Sequence, residues 1–132
     1  MTTVDNSARS TNPNNSATAF NSGTNTYACA NTQDYIFLLS EQEVTNSDYG
    51  FNSSFSNYDT ARQKQNTDYA KSQGVWTSTS SGYEGNGCWW LRSPFYGESY
   101  YARSVNYSGY AGNGSVVYCA SYGVVPALRI KL

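Results

Sequence analysis

The sequence predicts an α+β domain of short antiparallel strands, two short helices and much irregular loop. Three observations carry that reading. Apolar residues fall in short runs, Tyr35 to Leu39, Cys88 to Leu91 and Gly123 to Ile130, each bounded by polar or turn-forming residues, as short strands require. Two helix-capping signals, at Ser40 and Thr67, precede stretches only long enough for one or two turns. After Pro94, strand-like segments alternate with glycine-containing turns.

In chain order, residues 1 to 33 are rich in Asn, Ser and Thr and read as irregular backbone. Two readings stay open there: a tail, or an ordered loop anchored over the core by Val4, Phe20 and Tyr27. Tyr35 to Leu39 reads as a buried strand. Ser40 and Glu43 then form a capping box, each side chain meeting the other's backbone N–H, ahead of a short helix from about Glu41 to Thr45. Tyr49 to Asn57 reads as a loop with Phe51 and Phe55 tucked inward. Thr67 caps a second helix, Asp68 lies at its positive end, and Gly74 stands where a left-handed C-terminal cap belongs. Val75 to Thr77 reads as a strand, and Ser78 to Gly87 as a glycine-turned loop.

Cys88 to Pro94 organises the rest. Its adjacent tryptophans, beside Cys88 and Leu91, make the densest apolar spot in the chain. Neighbouring side chains of a strand point to opposite faces, so one of Trp89 and Trp90 enters the core and the other meets a second layer or a surface groove. Pro94 cannot donate to a ladder, so pairing is expected to stop there and a long exposed excursion to begin. Tyr101 to Tyr107 and Ser115 to Cys119 read as strands around a turn at Ser108 to Gly114. Gly123 to Ile130 reads as the closing strand, with Pro126 at an edge or bulge. Arg92 is assigned a structural role, pairing with a carboxylate or capping carbonyls.

Composition bounds the function. The length of 132 residues fits one domain, 1–132, with one core. Leu, Ile, Val and Phe make up only about 15% of the chain, but net charge is only −1, and 13 Tyr and 3 Trp carry the apolar content instead. A folded domain with a small core and an aromatic-polar surface follows. Eight basic and nine acidic residues leave no electrostatic footprint for nucleic acid or membrane. No run reaches the length of a membrane span, and the N-terminus lacks the pattern of a signal peptide.

Catalytic constellations are absent from the sequence. Without His, neither a Ser-His-Asp nor a Cys-His arrangement can be built, and no phosphate-cradling glycine motif appears. Cys29, Cys88 and Cys119 are an odd set without Cys-x-x-Cys spacing, which argues against structural zinc and allows at most one internal disulfide. The expectation is a protein without enzymatic activity, metal or cofactor.

What remains is aromatic. Phe95 to Tyr122 holds seven tyrosines interleaved with Ser, Asn, Gly and Ala. Tyr offers a large amphipathic face at small entropic cost, while Ser, Gly and Asn supply adaptable hydrogen bonds. Strand propensity alone does not explain Phe95, Tyr96, Tyr100 and Tyr110, which fall in segments read as turns. The candidate ligand-binding residues are therefore Phe95, Tyr96, Glu98, Tyr100, Tyr101, Arg103, Asn106, Tyr107, Tyr110, Asn113, Tyr118 and Tyr122.

The runs Tyr35-Ile36-Phe37-Leu38-Leu39-Ser40, Ala61-Arg62-Gln63, Thr67-Asp68-Tyr69-Ala70-Lys71-Ser72-Gln73-Gly74, Trp89-Trp90-Leu91-Arg92-Ser93-Pro94 and Val125-Pro126-Ala127-Leu128 resemble, in order, a bacterial and phage domain family of undefined function. That family resembles the C-type lectin-like superfamily, which includes the formylglycine-generating enzymes, and some members resemble the variable proteins of diversity-generating retroelements. The resemblance covers roughly residues 30 to 132, and its most specific part is the Trp-Trp-Leu-Arg-Ser-Pro run. It implies a C-type lectin-like fold, a fixed scaffold, and a hypervariable binding region within residues 88–132. It also implies display outside the cell, on a cell surface or on a virion, toward a protein or glycan. The alternative is a structural module of a larger surface or tail-fibre protein, with the tyrosines in an oligomer or domain interface. This chain has Val125 where the family has Arg, and Lys64-Gln65-Asn66 where the family often has Cys-Lys-Pro. It looks like a shortened version, without the family's first strands and long helix. Cys88 and Cys119 could imitate the reactive pair of formylglycine-generating enzymes, though a small apolar residue beside Trp89 is the simpler role for Cys88. The Glu-Pro-Asn and Gln-Pro-Asp signatures of calcium lectins are missing.

Overall fold

The structure, a computed structural model, describes residues 1–4, 27, 29–95 and 98–130. Three small antiparallel sheets and a few single-turn helices make up the fold, an arrangement of mixed α+β character. Strands β1 (Thr2–Val4) and β2 (Thr32–Asp34) pair with each other, as do β3 (Phe37–Leu38) and β7 (Pro126–Ala127). The central sheet has the order β4 (Trp89–Pro94), β5 (Tyr101–Val105), β6 (Asn113–Val116).

The capping box forms as its sequence dictates. Glu43 N–H donates to Ser40 Oγ at 3.1 Å and Ser40 N–H donates to Glu43 Oε2 at 2.9 Å, starting a 3-10 turn over Glu43–Thr45. Thr67 Oγ1 accepts from Ala70 N–H at the head of α1 (Asp68–Ser72), and Gly74, at φ +85°, closes it in the left-handed region.

Strand β4 alternates as a half-buried strand should. Trp89, Leu91 and Ser93 point inward, while Trp90, Arg92 and Pro94 are half-buried on the other side. Trp89, 2% exposed, meets Val44, Leu91, Val105 and Ala111 in the core, with Leu39, Phe55 and Val125 packed around them. Its indole N–H donates to the Arg62 carbonyl at 3.0 Å, so the largest core side chain is also pinned to the backbone. Trp90 instead stacks on Tyr122, with centroids 4.8 Å apart.

Arg62, fully buried, holds the irregular half of the chain together. Its guanidinium donates to five carbonyls, those of Gly109, Val44, Asn52, Ser54 and Asn57, at 2.7–3.0 Å. All five donors of the fork are thus used, fastening three separate segments that have no regular ladder of their own. Arg92 has the expected structural role twice over, donating to the Leu38 carbonyl and to Glu43 Oε2.

Several expectations are corrected. The first 33 residues are not wholly irregular, since Thr2–Val4 finds a partner strand in Thr32–Asp34, and threonine-rich strands suit such an edge. Val4 is buried as an anchor, Tyr27 is 43% exposed, and Phe20 lies outside the described residues. Tyr35 and Ile36 are exposed, because only Phe37 and Leu38 pair with the closing strand, itself reduced to Pro126–Ala127. Residues Val75 to Thr77 form no strand; Trp76 N–H makes a single backbone bond to the Ser121 carbonyl. Strand β6 starts at Asn113 rather than Ser115 and ends at Val116, and β5 stops at Val105 before Tyr107.

Pro94 does not end the pairing. It sits opposite Ala102, and Phe95 N–H bonds to the Tyr101 carbonyl, so the chain returns at once as a hairpin. The ladder tolerates Pro94 because β4 is bulged between Trp90 and Pro94. In that bulge Arg92 N–H turns away from β5 to the Leu39 carbonyl, and Ser93 Oγ accepts from Glu41 N–H, stitching the capping-box segment to the central sheet.

Candidate functional site

The central sheet and the loops around it distribute the expected binding residues over three places. The first is the β4–β5 hairpin. Phe95, Tyr101 and Tyr100 form an aromatic row with centroid separations of 5.7 and 5.0 Å. Tyr100 is 51% exposed, and Tyr118, 78% exposed, lies beside it because Val117 N–H bonds to the Tyr100 carbonyl. The exposed Glu98 raises the pKa of the Tyr100 phenol through its negative charge. Tyr96 lies outside the described residues.

Arg103 departs from its expected role on the surface. It is 2% exposed, with Nε 3.5 Å from Glu41 Oε2 and its guanidinium 3.9 Å from the centre of the Phe95 ring. The register puts Arg103 opposite Gly114, and the absence of a side chain there lets Phe95 close over the guanidinium. Burial lowers the Arg103 pKa and pushes the Glu41 carboxyl up to about 8, with Arg103 pulling the latter back only in part. Neither Glu41 oxygen accepts a hydrogen bond from a described residue.

The second place is a cup. Asn106, Tyr107, Tyr110 and Asn113 come together there, joined by Tyr58 and Tyr83, around a cavity of about 430 Å³. Tyr107 is wedged between Trp76 and Tyr83, with centroids at 5.5 and 5.6 Å. Asn106 Oδ1 accepts from Ser108 N–H, Ser108 Oγ and Tyr110 N–H, which closes the turn after β5 and fixes the amide. The ring of Tyr110 rests on Gly112, where an added Cβ would stand 2.3 Å from it, and Phe95 rests on Gly114 in the same way at 2.2 Å.

The third place holds only Tyr122, stacked on Trp90 and so on the sheet face opposite Trp89. Burial raises its pKa. Beside it in the chain, Cys119 has its pKa lowered by a hydrogen bond with Ser121, 3.1 Å away, whereas burial raises that of Cys88. Cys29, Cys88 and Cys119 are all free thiols.

Tyr58 and Tyr83 were missed because each stands alone in a loop read for its turn residues. The usable signal was the same one that marked Tyr110, an aromatic ring inside a Gly, Asn and Ser segment. A separate groove of about 370 Å³ runs beside β3 and β7, lined by Phe37, Leu39, Tyr49, Leu128 and Ile130, with Glu43 and Arg129 at its edge. Among the described residues no three of His, Cys, Asp and Glu gather to hold a metal ion, and no helix is long and apolar enough to cross a membrane.

No curated protein and no solved structure matches the chain. One family profile covers almost all of it, residues 5–132, and on that match the chain belongs to the family described as Domain of unknown function (DUF6273).

Proposed function

We propose that this chain is a recognition domain, built on a C-type lectin-like scaffold, that presents a tyrosine-rich surface to a protein or glycan on another cell or particle. The observation that carries the reading is the cup. Four phenols from three separate segments converge there, and none of their hydroxyls bonds to a described residue. Such groups are left for a partner, and central aromatics of this kind dominate interface energetics. The resemblance of the Trp-Trp-Leu-Arg-Ser-Pro run adds that exposed positions such as Tyr100 and Tyr118 would be the ones a retroelement rewrites, over a framework of Arg62, Trp89 and Arg92 that stays fixed.

The test is a variant with Tyr58, Tyr100 and Tyr118 all changed to Ser, compared with the unchanged protein by thermal unfolding and on panels of glycans and extracellular proteins. A retained unfolding midpoint with lost binding supports the reading. Failure of the variant to fold, or no binding by the unchanged protein to either panel, overturns it.

A second reading, a structural module within a larger assembly, is favoured by a different feature. Tyr35, Ile36, Leu128 and Ile130 are 59–76% exposed along β3 and β7, beside the apolar groove. On that reading the interface lies at the β3–β7 edge rather than at the tyrosines. Sedimentation separates the two: a stable oligomer dissolved by Ile36→Asp favours the structural module.

A further inference from the structure

We infer that the cup around Tyr107 is a metal-independent subsite for an uncharged saccharide ring. The inference rests on the recognition reading and gives it a ligand class.

The size fits first. About 430 Å³ lies within the range of small-ligand pockets, roughly 300–1,000 Å³, and is concave where protein docking faces are flatter. The lining chemistry then narrows the choice. No charged side chain lines the cup, so a phosphate, carboxylate or ammonium ligand would find no counter-charge, and no carboxylate is available to hold a bridging cation. Nor does any aliphatic side chain, Met or Arg line it, although such residues are what a protein-anchor pocket gathers. What the cup offers is aromatic faces and amide edges. A sugar ring presents the complement, a C–H face to lie flat on an aromatic ring and a rim of hydroxyls that donate and accept.

Donor accounting supports the match. Asn106 Oδ1 is saturated by three bonds to its own turn, which holds the amide in one orientation and leaves both Nδ2 hydrogens for a ligand acceptor. The Asn113 amide bonds to no described residue, and the phenol hydroxyls of Tyr58, Tyr83, Tyr107 and Tyr110 can rotate to donate or accept. The platform is also set before any ligand arrives. Tyr107 is held between Trp76 and Tyr83, its carbonyl accepts from Asn86 Nδ2 at 3.0 Å, and Tyr110 lies on bare backbone at Gly112. Rings fixed in this way lose little freedom on binding, so a small ligand can be held by stacking and a few hydrogen bonds.

The experiment titrates the whole chain with glucose, galactose, mannose, N-acetylglucosamine and their common disaccharides, with and without EDTA. It follows tryptophan fluorescence, to which Trp76 reports, and the side-chain amide resonances of Asn106 and Asn113. The expected result is saturable millimolar binding by at least one sugar, insensitive to EDTA. Tyr58→Ala and Asn113→Ala should each weaken it about tenfold, while Tyr69→Ser, at an exposed position of α1 outside the cup, leaves it unchanged. Tyr58 is 69% exposed, so its variant tests binding and not folding, as circular dichroism will verify. The inference is overturned if no sugar moves the two amide resonances, or if sugar binding follows Tyr100 and Tyr118 instead. It is also overturned if a protein from the extracellular panel moves those resonances and no sugar does, an outcome that leaves the recognition reading standing. If neither sugars nor proteins bind anywhere on the chain, both readings fall.

Discussion

Arg62→Ala should destabilise the domain strongly, although the residue lies in no strand. Its five N–H groups satisfy five backbone carbonyls, and two of those bonds, to Gly109 and Val44, are themselves buried. Removing the side chain leaves those two carbonyls without partners at about 1–3 kcal/mol each, while the three nearer the surface regain water and cost less. The space left by a fully buried side chain adds to the loss. A total of about 3–5 kcal/mol is expected, against a typical domain stability of about 5–15 kcal/mol. Arg62→Lys keeps the charge but has at most three donors and no planar fork, so it should recover only part of the loss. Urea unfolding followed by tryptophan fluorescence measures both variants. The reasoning is refuted if Arg62→Ala costs less than about 1 kcal/mol, or if Lys restores the full value, since charge alone would then explain the site.

Three further outcomes are expected. Folded Glu41 keeps its proton up to about pH 8, whereas an exposed carboxyl releases it near 4.5, so the folded state binds more protons between those values and stability should fall as pH rises through that window, by at most about 1.4 kcal/mol per pH unit; Glu41→Gln should flatten the slope in urea titrations at successive pH values. Ser40→Ala breaks the capping box and should cost about 1–2 kcal/mol, read as a shift in urea midpoint with unchanged slope. In a Cys29→Ser background, Cys119 should react with a thiol reagent well before Cys88, because Cys119 is half-buried with a lowered pKa and Cys88 is buried with a raised one; equal rates would contradict this.

Local rules made part of this fold legible. The Ser40 capping box, the Thr67 to Gly74 helix and the alternation of Trp89 and Trp90 each depend on residues within a few positions of one another, and each stands as the spacing indicates. Arg92 was also readable, since a cation between Leu91 and Pro94 has few choices but a carboxylate or carbonyls. What escaped depends on partners far away in sequence. Nothing in Ala-Arg-Gln marks Arg62 as the fastening of three segments, and nothing near Thr2 names Thr32–Asp34 as its neighbour. Arg103 was placed at the surface by its tyrosine-rich surroundings, but strand register set it opposite Gly114, with Phe95 above it and Glu41 beside it. The cup was half visible. Its β5–β6 members stood out by composition, while Tyr58 and Tyr83 reach it only through the path of two loops.

Two positions without side chains set the limits on how this outer face can be redesigned. Tyr110 and Phe95 lie directly on the main chain at Gly112 and Gly114, with no room for even a methyl group beneath either ring. A combinatorial library can therefore exchange what sits on top, one ring for another or for a smaller group, without touching the floor. A methyl group at either floor position would displace the aromatic above it, so wherever Tyr110 or Phe95 keeps its ring the glycine beneath must be kept as well.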